Sequence, residues 1–296
     1  MILSSLLVVI LLSIVSIISC GNPGIQVPHA NLVKHEILYR NYYALNNTDD
    51  LQALKEFSVE LNNLPNAPKD FCSLKEVGSS WGAHFMCTYD LNFTAYEPHC
   101  NFISCGISYD FSFDKELDEK YLCRGFALDP TVQHPIRLTP RVIFLNAGAN
   151  SPSKDPNWSI FSIPELRKSM GKDLFILKMD CEGCEYSLAG DIINHDINFF
   201  QHVQQFNIEI HSPMGFMATE NEVYGFGRLY RLLKLANMHL VHADNGRCSP
   251  TDERKGCHPY LVESGFPCLP GCRSFLFAKK HVHHVHTHGH FIPKPN

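Results

Sequence analysis

Acidic and imidazole side chains follow two strand candidates in the second half of the chain. The apolar run 174–179 ends at Asp180, with Glu182 close behind it, and the strand candidate 203–210 ends at His211. Because the carboxyl ends of parallel strands share one edge of a sheet, we expect these side chains to lie close together. Carboxylate and imidazole groups at such an edge can take a proton from a hydroxyl group or hold a metal ion.

We predict Asp180, Glu182 and His211 as catalytic residues. Asp180 and His211 would line the pocket for the acceptor, with His211 as the base, and Glu209 shares a face with His211 because side chains alternate along a strand. A divalent metal ion held by Asp180, Glu182 and His211 is a second interpretation. The structural alternatives are that Glu182 and Glu185 stabilise the start of a helix and that His211 is a hydrogen-bonded core histidine.

A single glycine and an acid end two earlier strand candidates. An acid about 20 residues beyond such a glycine can accept hydrogen bonds from ribose hydroxyls. The G-x-G-x-x-G pattern that seats a pyrophosphate is missing, which favours adenosylmethionine over a nicotinamide dinucleotide and argues against a dehydrogenase. A tight turn followed by a helix-capping aspartate is the structural alternative. The predicted cofactor-binding residues are Gly106, Ser108, Asp110 and Asp129.

Strand and helix candidates alternate along the chain after residue 71. This order predicts an α/β fold with a Rossmann-like, doubly wound, mostly parallel seven-stranded sheet. A cysteine-rich stretch, and no helix, joins the last two strands, which predicts a terminal antiparallel strand pair. Ser162 and Glu165 form a capping box that starts a helix, and Gly171 can end it. The predicted strands are 102–107, 125–128, 141–145, 174–179, 203–210, 238–241 and 274–278.

Three segments resemble the FkbM-type S-adenosylmethionine-dependent methyltransferases: 101–114, 126–131 and 177–186. The K-x-D-x-E-G-x-E element at 178–185 is the most specific part of the resemblance. The similarity covers roughly 71–278 and is greatest to animal methyltransferase-like proteins that carry an N-terminal leader. Two features depart from the family pattern, namely Cys184, where a small residue is common, and the cysteine-rich insertion 245–272.

The resemblance implies an adenosylmethionine-dependent fold and O-methyl transfer. By position it implies that Gly106 and Asp110 belong to the cofactor loop and that Asp129 is the ribose-binding acid. A methyltransferase that acts on a hydroxyl acceptor is therefore the predicted function. A secreted, non-catalytic binding protein that retains the fold is the alternative.

The first 20 residues form an apolar segment without a charged side chain. The apolar core of a signal peptide has about 7–15 residues and a spanning helix about 20, so a cleaved signal peptide and a signal anchor are both open. Twelve cysteines and the glycosylation sequons at Asn46, Asn92 and Asn157 agree with a secretory route. We predict a secreted or Golgi/ER-lumenal protein, with a type II anchor as the alternative.

The cysteines are expected to be oxidised in that compartment. The C-x-x-C pair Cys181 and Cys184 would form disulfides or hold a buried thiol, and Cys72 and Cys87 are candidates for a further pair. Four cysteines crowd the insertion, where we favour disulfides over a zinc knuckle: Cys248, Cys257, Cys268 and Cys272.

Composition and segment boundaries limit the partners. A net charge of -5 without a basic excess argues against nucleic acid, and a membrane would be contacted only through an uncleaved leader. The expected substrate is a small-molecule or glycan hydroxyl.

We divide the chain into the leader 1–20, a lead-in 21–70, a methyltransferase-like domain 71–280 and a His-rich, disordered tail 281–296. Metal binding by this tail would be incidental.

Overall fold

The computed structural model describes residues 48–64, 72–88, 100–150, 158–211, 219–244 and 272–280. The predicted leader, most of the lead-in, the three sequons, the insertion up to residue 271 and the His-rich tail lie outside these residues. None of the helices in the described part of the chain is long and apolar enough to cross a membrane.

Twelve strands and five α-helices are found within the described ranges. The strands are β1 (Leu74–Val77), β2 (His84–Cys87), β3 (Asn101–Cys105), β4 (Arg124–Leu128), β5 (Arg137–Thr139), β6 (Val142–Leu145), β7 (Gly148–Ala149), β8 (Ile160–Phe161), β9 (Leu174–Met179), β10 (Val203–His211), β11 (Met238–Asp244) and β12 (Cys272–Lys279). The helices are α1 (Thr48–Asn63), α2 (Ser112–Tyr121), α3 (Ile163–Met170), α4 (Cys184–His195) and α5 (Thr219–Leu235), with 3-10 turns at Ser80–Gly82 and Phe199–His202.

An eight-stranded mixed sheet, ordered β11-β12-β10-β9-β3-β4-β6-β5, forms the centre of the fold. Strands β6, β4, β3, β9 and β10 are parallel, whereas β12 lies antiparallel between β10 and β11. This arrangement confirms the Rossmann-like fold with a terminal antiparallel pair. The predicted count of seven strands is one too low, because the edge strand β5, which pairs antiparallel with β6, is a three-residue segment without an apolar run.

Apolar side chains cover both faces of the sheet. Helices α1, α3, α4 and α5 supply the core on one face, and α2 with the β1–β2 hairpin supplies the other. The predicted start of α3 at Ser162 is confirmed, since the Ser162 hydroxyl accepts the Glu165 N–H, and Gly171 ends the helix with φ +64. The strand order reverses between β3 and β9, which places a crevice at their carboxyl ends.

The β1–β2 hairpin is fixed to the sheet by side-chain amides of β10. Gln205 donates to the Cys87 carbonyl at 2.9 Å and accepts from its N–H at 2.7 Å, and Asn207 donates to the Phe85 carbonyl. A disulfide between Cys72 and Cys87 closes the hairpin, as predicted. Strand β2 is thereby held over the part of the sheet that carries the site.

Helix α1 belongs to the same folded unit as the sheet, although it precedes the boundary that we predicted near Asp70. Asp50 is fully buried and pairs with Arg228 at 3.0 Å and Arg231 at 2.8 Å, both on α5. A Cβ on Gly227 would lie 2.1 Å from the Asp50 carbonyl, so the two helices are in backbone contact. The folded unit therefore extends upstream to at least Thr48.

We predict that Asp50→Asn destabilises the protein by about 3 kcal/mol, because it removes the buried negative charge that faces two guanidinium groups. The matched control is Asp49→Asn, where the carboxylate is 66% exposed and 3.6 Å from Arg231; its expected effect is at most about 1 kcal/mol. Urea unfolding with the disulfides intact measures both, and equal losses in the two variants would contradict the prediction.

Candidate functional site

A backbone contact joins the carboxyl ends of β3 and β9. Gly106 follows β3 with φ +73, and a Cβ at this position would lie 1.6 Å from the Asp180 carbonyl oxygen. The Asp180 N–H also donates to the Cys105 carbonyl at 3.0 Å. Gly106 is one of the predicted cofactor-binding residues, and in the structure its missing side chain admits the backbone of Asp180.

Lys178 reinforces this contact from inside the sheet. Its ammonium group donates to the Gly106 carbonyl at 2.5 Å and lies 3.6 Å from Asp180 Oδ2, and the residue is 3% exposed. A buried charge needs such partners. We did not predict Lys178 as a site residue; the available signal was a lone lysine that interrupts an apolar strand.

Asp129 ends β4 and holds the loop after β3. Its Oδ2 accepts the Ser108 N–H at 2.8 Å, while Oδ1 accepts the Thr131 N–H at 2.8 Å and the Thr131 hydroxyl at 2.6 Å. Asp129 is 5% exposed. A carboxylate has about four acceptor positions, so one remains, on Oδ2. The carboxylate can therefore accept one further hydrogen bond, such as that from a ribose hydroxyl.

Asp110 connects the same loop to two neighbouring elements. Its Oδ1 accepts the N–H of Ser112, the first residue of α2, at 3.1 Å, and Oδ2 accepts the Gly82 N–H at 2.9 Å. The first contact agrees with the helix-capping alternative. The structure thus brings Gly106, Ser108, Asp110 and Asp129 into one loop region, and each of the two aspartates is hydrogen-bonded within the chain.

His211 lies among three carboxylates at the end of β10. Its Nδ1 is 3.1 Å from Glu185 Oε1, and its Nε2 is 3.5 Å from Glu209 Oε1 and 3.7 Å from Asp180 Oδ1. The predicted proximity of Asp180 and His211 is therefore present in the structure. His84 of β2, which we did not predict, approaches the other oxygen of Asp180 at 3.8 Å.

These carboxylates hold His211 in its charged form. Burial by itself would lower the pKa of His211, but hydrogen bonds to Glu185 and Glu209 and the negative charge of Asp180 raise the pKa to about 11. A general base must be neutral at the working pH. The surroundings of His211 are therefore those of an imidazolium ion, and they do not support the base that we expected.

The three glutamates near this group have different positions. Glu182 is exposed, with φ +51, and is not part of the cluster. Glu209 is buried and accepts the Ser274 hydroxyl at 2.7 Å. Glu185 is buried at the start of α4 and accepts the Gly183 N–H at 2.7 Å, in agreement with its capping interpretation. Glu209 thus stands where we expected Glu182.

Disulfides lie at both edges of the sheet. Cys181 and Cys184 form a disulfide directly after Asp180, at the edge that carries the site, and an unpredicted disulfide joins Cys100 to Cys123 just before β3 and β4, at the opposite edge. Cys105, the last residue of β3, is a free thiol, and its burial raises its pKa to about 12. At neutral pH this thiol is therefore protonated and inert.

The chain has a weak structural similarity to solved proteins. No protein-family profile matches the chain, and no curated protein matches it significantly. The chain is similar to the fibrillarin pre-rRNA processing protein of Methanococcus jannaschii (TM-score 0.35, 9% identity, 73% of this chain and 86% of that chain). It is also similar to the plantazolicin methyltransferase BpumL in complex with SAH and a desmethylPZN analogue (TM-score 0.29, 11% identity, 83% and 90%). The fold itself is established by the strand order described above.

We predict that Gly106→Ala destabilises the protein by several kcal/mol, because it adds a clash with the Asp180 carbonyl to the strain of a positive φ. Gly171→Ala is the control, since φ there is +64 but nothing lies within 4 Å of the added Cβ. The control should lose only about 1–2 kcal/mol. Denaturant unfolding compares the two, and similar losses would show that the close contact is unimportant.

Proposed function

We propose that this chain is an S-adenosylmethionine-dependent methyltransferase that methylates a hydroxyl acceptor. The observation that carries the proposal is the meeting, at one carboxyl edge, of the Gly106–Asp129 loop region with the Asp180–His211 group. The first group follows β3 and β4, and the second follows β9 and β10. The two groups therefore flank the point between β3 and β9 at which the strand order reverses, where ligands of doubly wound folds bind. The resemblance of 178–185 to FkbM-type enzymes points to the same chemistry.

The residues for the cofactor are those of the loop after β3. Asp129 would accept a hydrogen bond from a ribose hydroxyl at its remaining Oδ2 position, and Ser108, held by Asp129, would form the wall beside it. Gly106 and Asp110 would shape the loop. Adenosylmethionine, when bound, supplies a methyl group on a positively charged sulfur, which leaves as adenosylhomocysteine.

The acceptor side would be formed by Asp180 and His211. Methyl transfer needs an acceptor oxygen that gives up its proton as the new carbon–oxygen bond forms. Asp180 has a side chain that is 24% exposed and can contact an acceptor, whereas His211 is held as a cation. The Asp180 carboxylate, which can contact the acceptor, would therefore take the hydroxyl proton in place of His211.

The disulfides support a proposed location in the secretory pathway. Cys72–Cys87, Cys100–Cys123 and Cys181–Cys184 are oxidised pairs, and such pairs persist in oxidising compartments. We accordingly propose a lumenal or secreted enzyme, with a type II anchor as the alternative form. A small-molecule or glycan hydroxyl is the acceptor class that this location favours.

A non-catalytic binding protein is the second candidate. It is favoured by the hydrogen bonds of Asp129, which satisfy three acceptor positions within the chain and leave the carboxylate nearly inaccessible. In that case Asp129 would serve to fix the loop, and no nucleoside would bind. The two candidates differ in whether adenosylmethionine binds at all.

Calorimetry with adenosylmethionine tests the choice between them. We predict that the wild-type chain binds it and that Asp129→Asn weakens binding roughly 10–100-fold, the effect of losing one hydrogen bond to a charged group. Thr131→Ala is the matched control, because it removes one internal partner of Asp129 and leaves the carboxylate in place. This variant should bind at least as tightly as wild type.

The absence of any heat with wild type at millimolar adenosylmethionine would reject the enzyme. Binding by wild type with unchanged affinity in Asp129→Asn would reject Asp129 as the ribose-binding acid. Near-ultraviolet circular dichroism of each variant separates a loss of binding from a loss of folding.

A further inference from the structure

Three potential metal ligands converge at the carboxyl ends of β9 and β10. Asp180, Glu209 and His211 each offer one ligand atom, and these atoms all lie within 4.8 Å of one another. They come from two adjacent parallel strands and are anchored by the sheet. The group differs from the metal set that we expected from the sequence, because Glu209 replaces Glu182.

The spacing of these atoms is close to that of a coordination shell. Ligands about 2.0–2.2 Å from a tetrahedral ion lie about 3.3–3.6 Å apart. His211 Nε2 is 3.5 Å from Glu209 Oε1 and 3.7 Å from Asp180 Oδ1. The ligand atoms of Asp180 and Glu209 lie within 4.8 Å of each other, so an ion bound by all three residues would hold these two carboxylates beside His211.

The surrounding hydrogen bonds are an independent indication. A metal-bound histidine commonly has its second ring nitrogen hydrogen-bonded to a carboxylate, which orients the ring. Glu185, whose side chain is fully buried, lies 3.1 Å from His211 Nδ1 and leaves Nε2 facing the other two carboxylates. Ser274 likewise donates to the far oxygen of Glu209 at 2.7 Å, so that Oε1 faces His211.

Two nitrogen-bearing side chains contact the side of the cluster away from its centre. Lys178 and His84 approach Asp180 through Oδ2, at 3.6 and 3.8 Å, whereas Oδ1 faces His211. Asp180 can therefore keep its contact with Lys178 while Oδ1 binds an ion.

We propose that Asp180, Glu209 and His211 bind a divalent metal ion of the Mn²⁺ or Zn²⁺ type, which displaces the proton of His211 Nε2 to the solvent. One imidazole and two carboxylates suit ions that accept both nitrogen and oxygen ligands. Three protein ligands leave a coordination position open, as in catalytic sites, and an acceptor hydroxyl is the ligand class that fits there. The metal site does not depend on the proposed function, whereas the role of the ion in binding the acceptor rests on it.

The test uses the full chain after treatment with a chelator, titrated with Mn²⁺ alone and followed by electron paramagnetic resonance. Mn²⁺ is the weakest first-row binder to nitrogen-rich sites, so it limits binding at the His-rich segment 281–296, which every variant retains. We expect Glu209→Gln and His211→Gln to weaken one Mn²⁺ site by at least about tenfold. His202→Gln is the control, because His202 precedes β10 at the end opposite His211 and its pair with Asp173 is exposed.

Glu185→Gln tests the positioning of the ring. Spin-echo spectra of bound Mn²⁺ should show imidazole nitrogen coupling in wild type and in Glu209→Gln at saturating metal, but not in His211→Gln. Glu185→Gln should weaken binding by about 10–100-fold. A purely structural role for these residues would not change the nitrogen coupling.

Equal Mn²⁺ affinity in wild type, Glu209→Gln and His211→Gln would overturn the proposal and define the cluster as an ion-pair network. Loss of the site in folded variants, judged by near-ultraviolet circular dichroism, would support it. Binding of Mn²⁺ without binding of adenosylmethionine would support the metal site and reject the methyltransferase function. Binding of adenosylmethionine without binding of Mn²⁺ at the cluster would reject the metal site alone.

Discussion

The packing of one glycine against one carbonyl group determines the geometry of the carboxyl edge. Gly106 and Asp180 end neighbouring strands, and their backbones approach so closely that no side chain fits between them. The loop after β3, which Asp129 holds by a hydrogen bond to Ser108, begins on one side of this contact. The group around His211 lies on the other side. Any displacement of β3 against β9 would therefore alter both halves of the crevice together.

Electrostatics imposes a second requirement on this region. Asp180, Glu185 and Glu209 concentrate negative charge at the carboxyl edge of the sheet, and buried charge must be compensated. Lys178 and His211 provide that compensation from within the strands. In the protein without a bound ion, His211 therefore serves as the counter-cation of the group, which is why its chemistry differs from that of an isolated histidine.

Periodicity in the sequence predicts the elements better than it predicts their contacts. Strand β9 was predicted with its observed bounds because its apolar run is sharply delimited, and α3 because both caps are present. The exposure of Glu182 was not predictable, since the turn after a strand can place a side chain on either side. The docking of α1 through Asp50 and Arg228 depends on residues 178 apart, and no local pattern reports such a contact.

The free thiol of Cys105 has a consequence for how the chain reaches its oxidised state. In the native sheet Cys105 ends β3, and Cys100, which is paired with Cys123, directly precedes the same strand. Before β3 is enclosed between β9 and β4, the thiol of Cys105 is open to exchange with those neighbouring sulfurs. Correct pairing therefore depends on early enclosure of the central strand, and slow assembly of the sheet would favour chains trapped with scrambled disulfides.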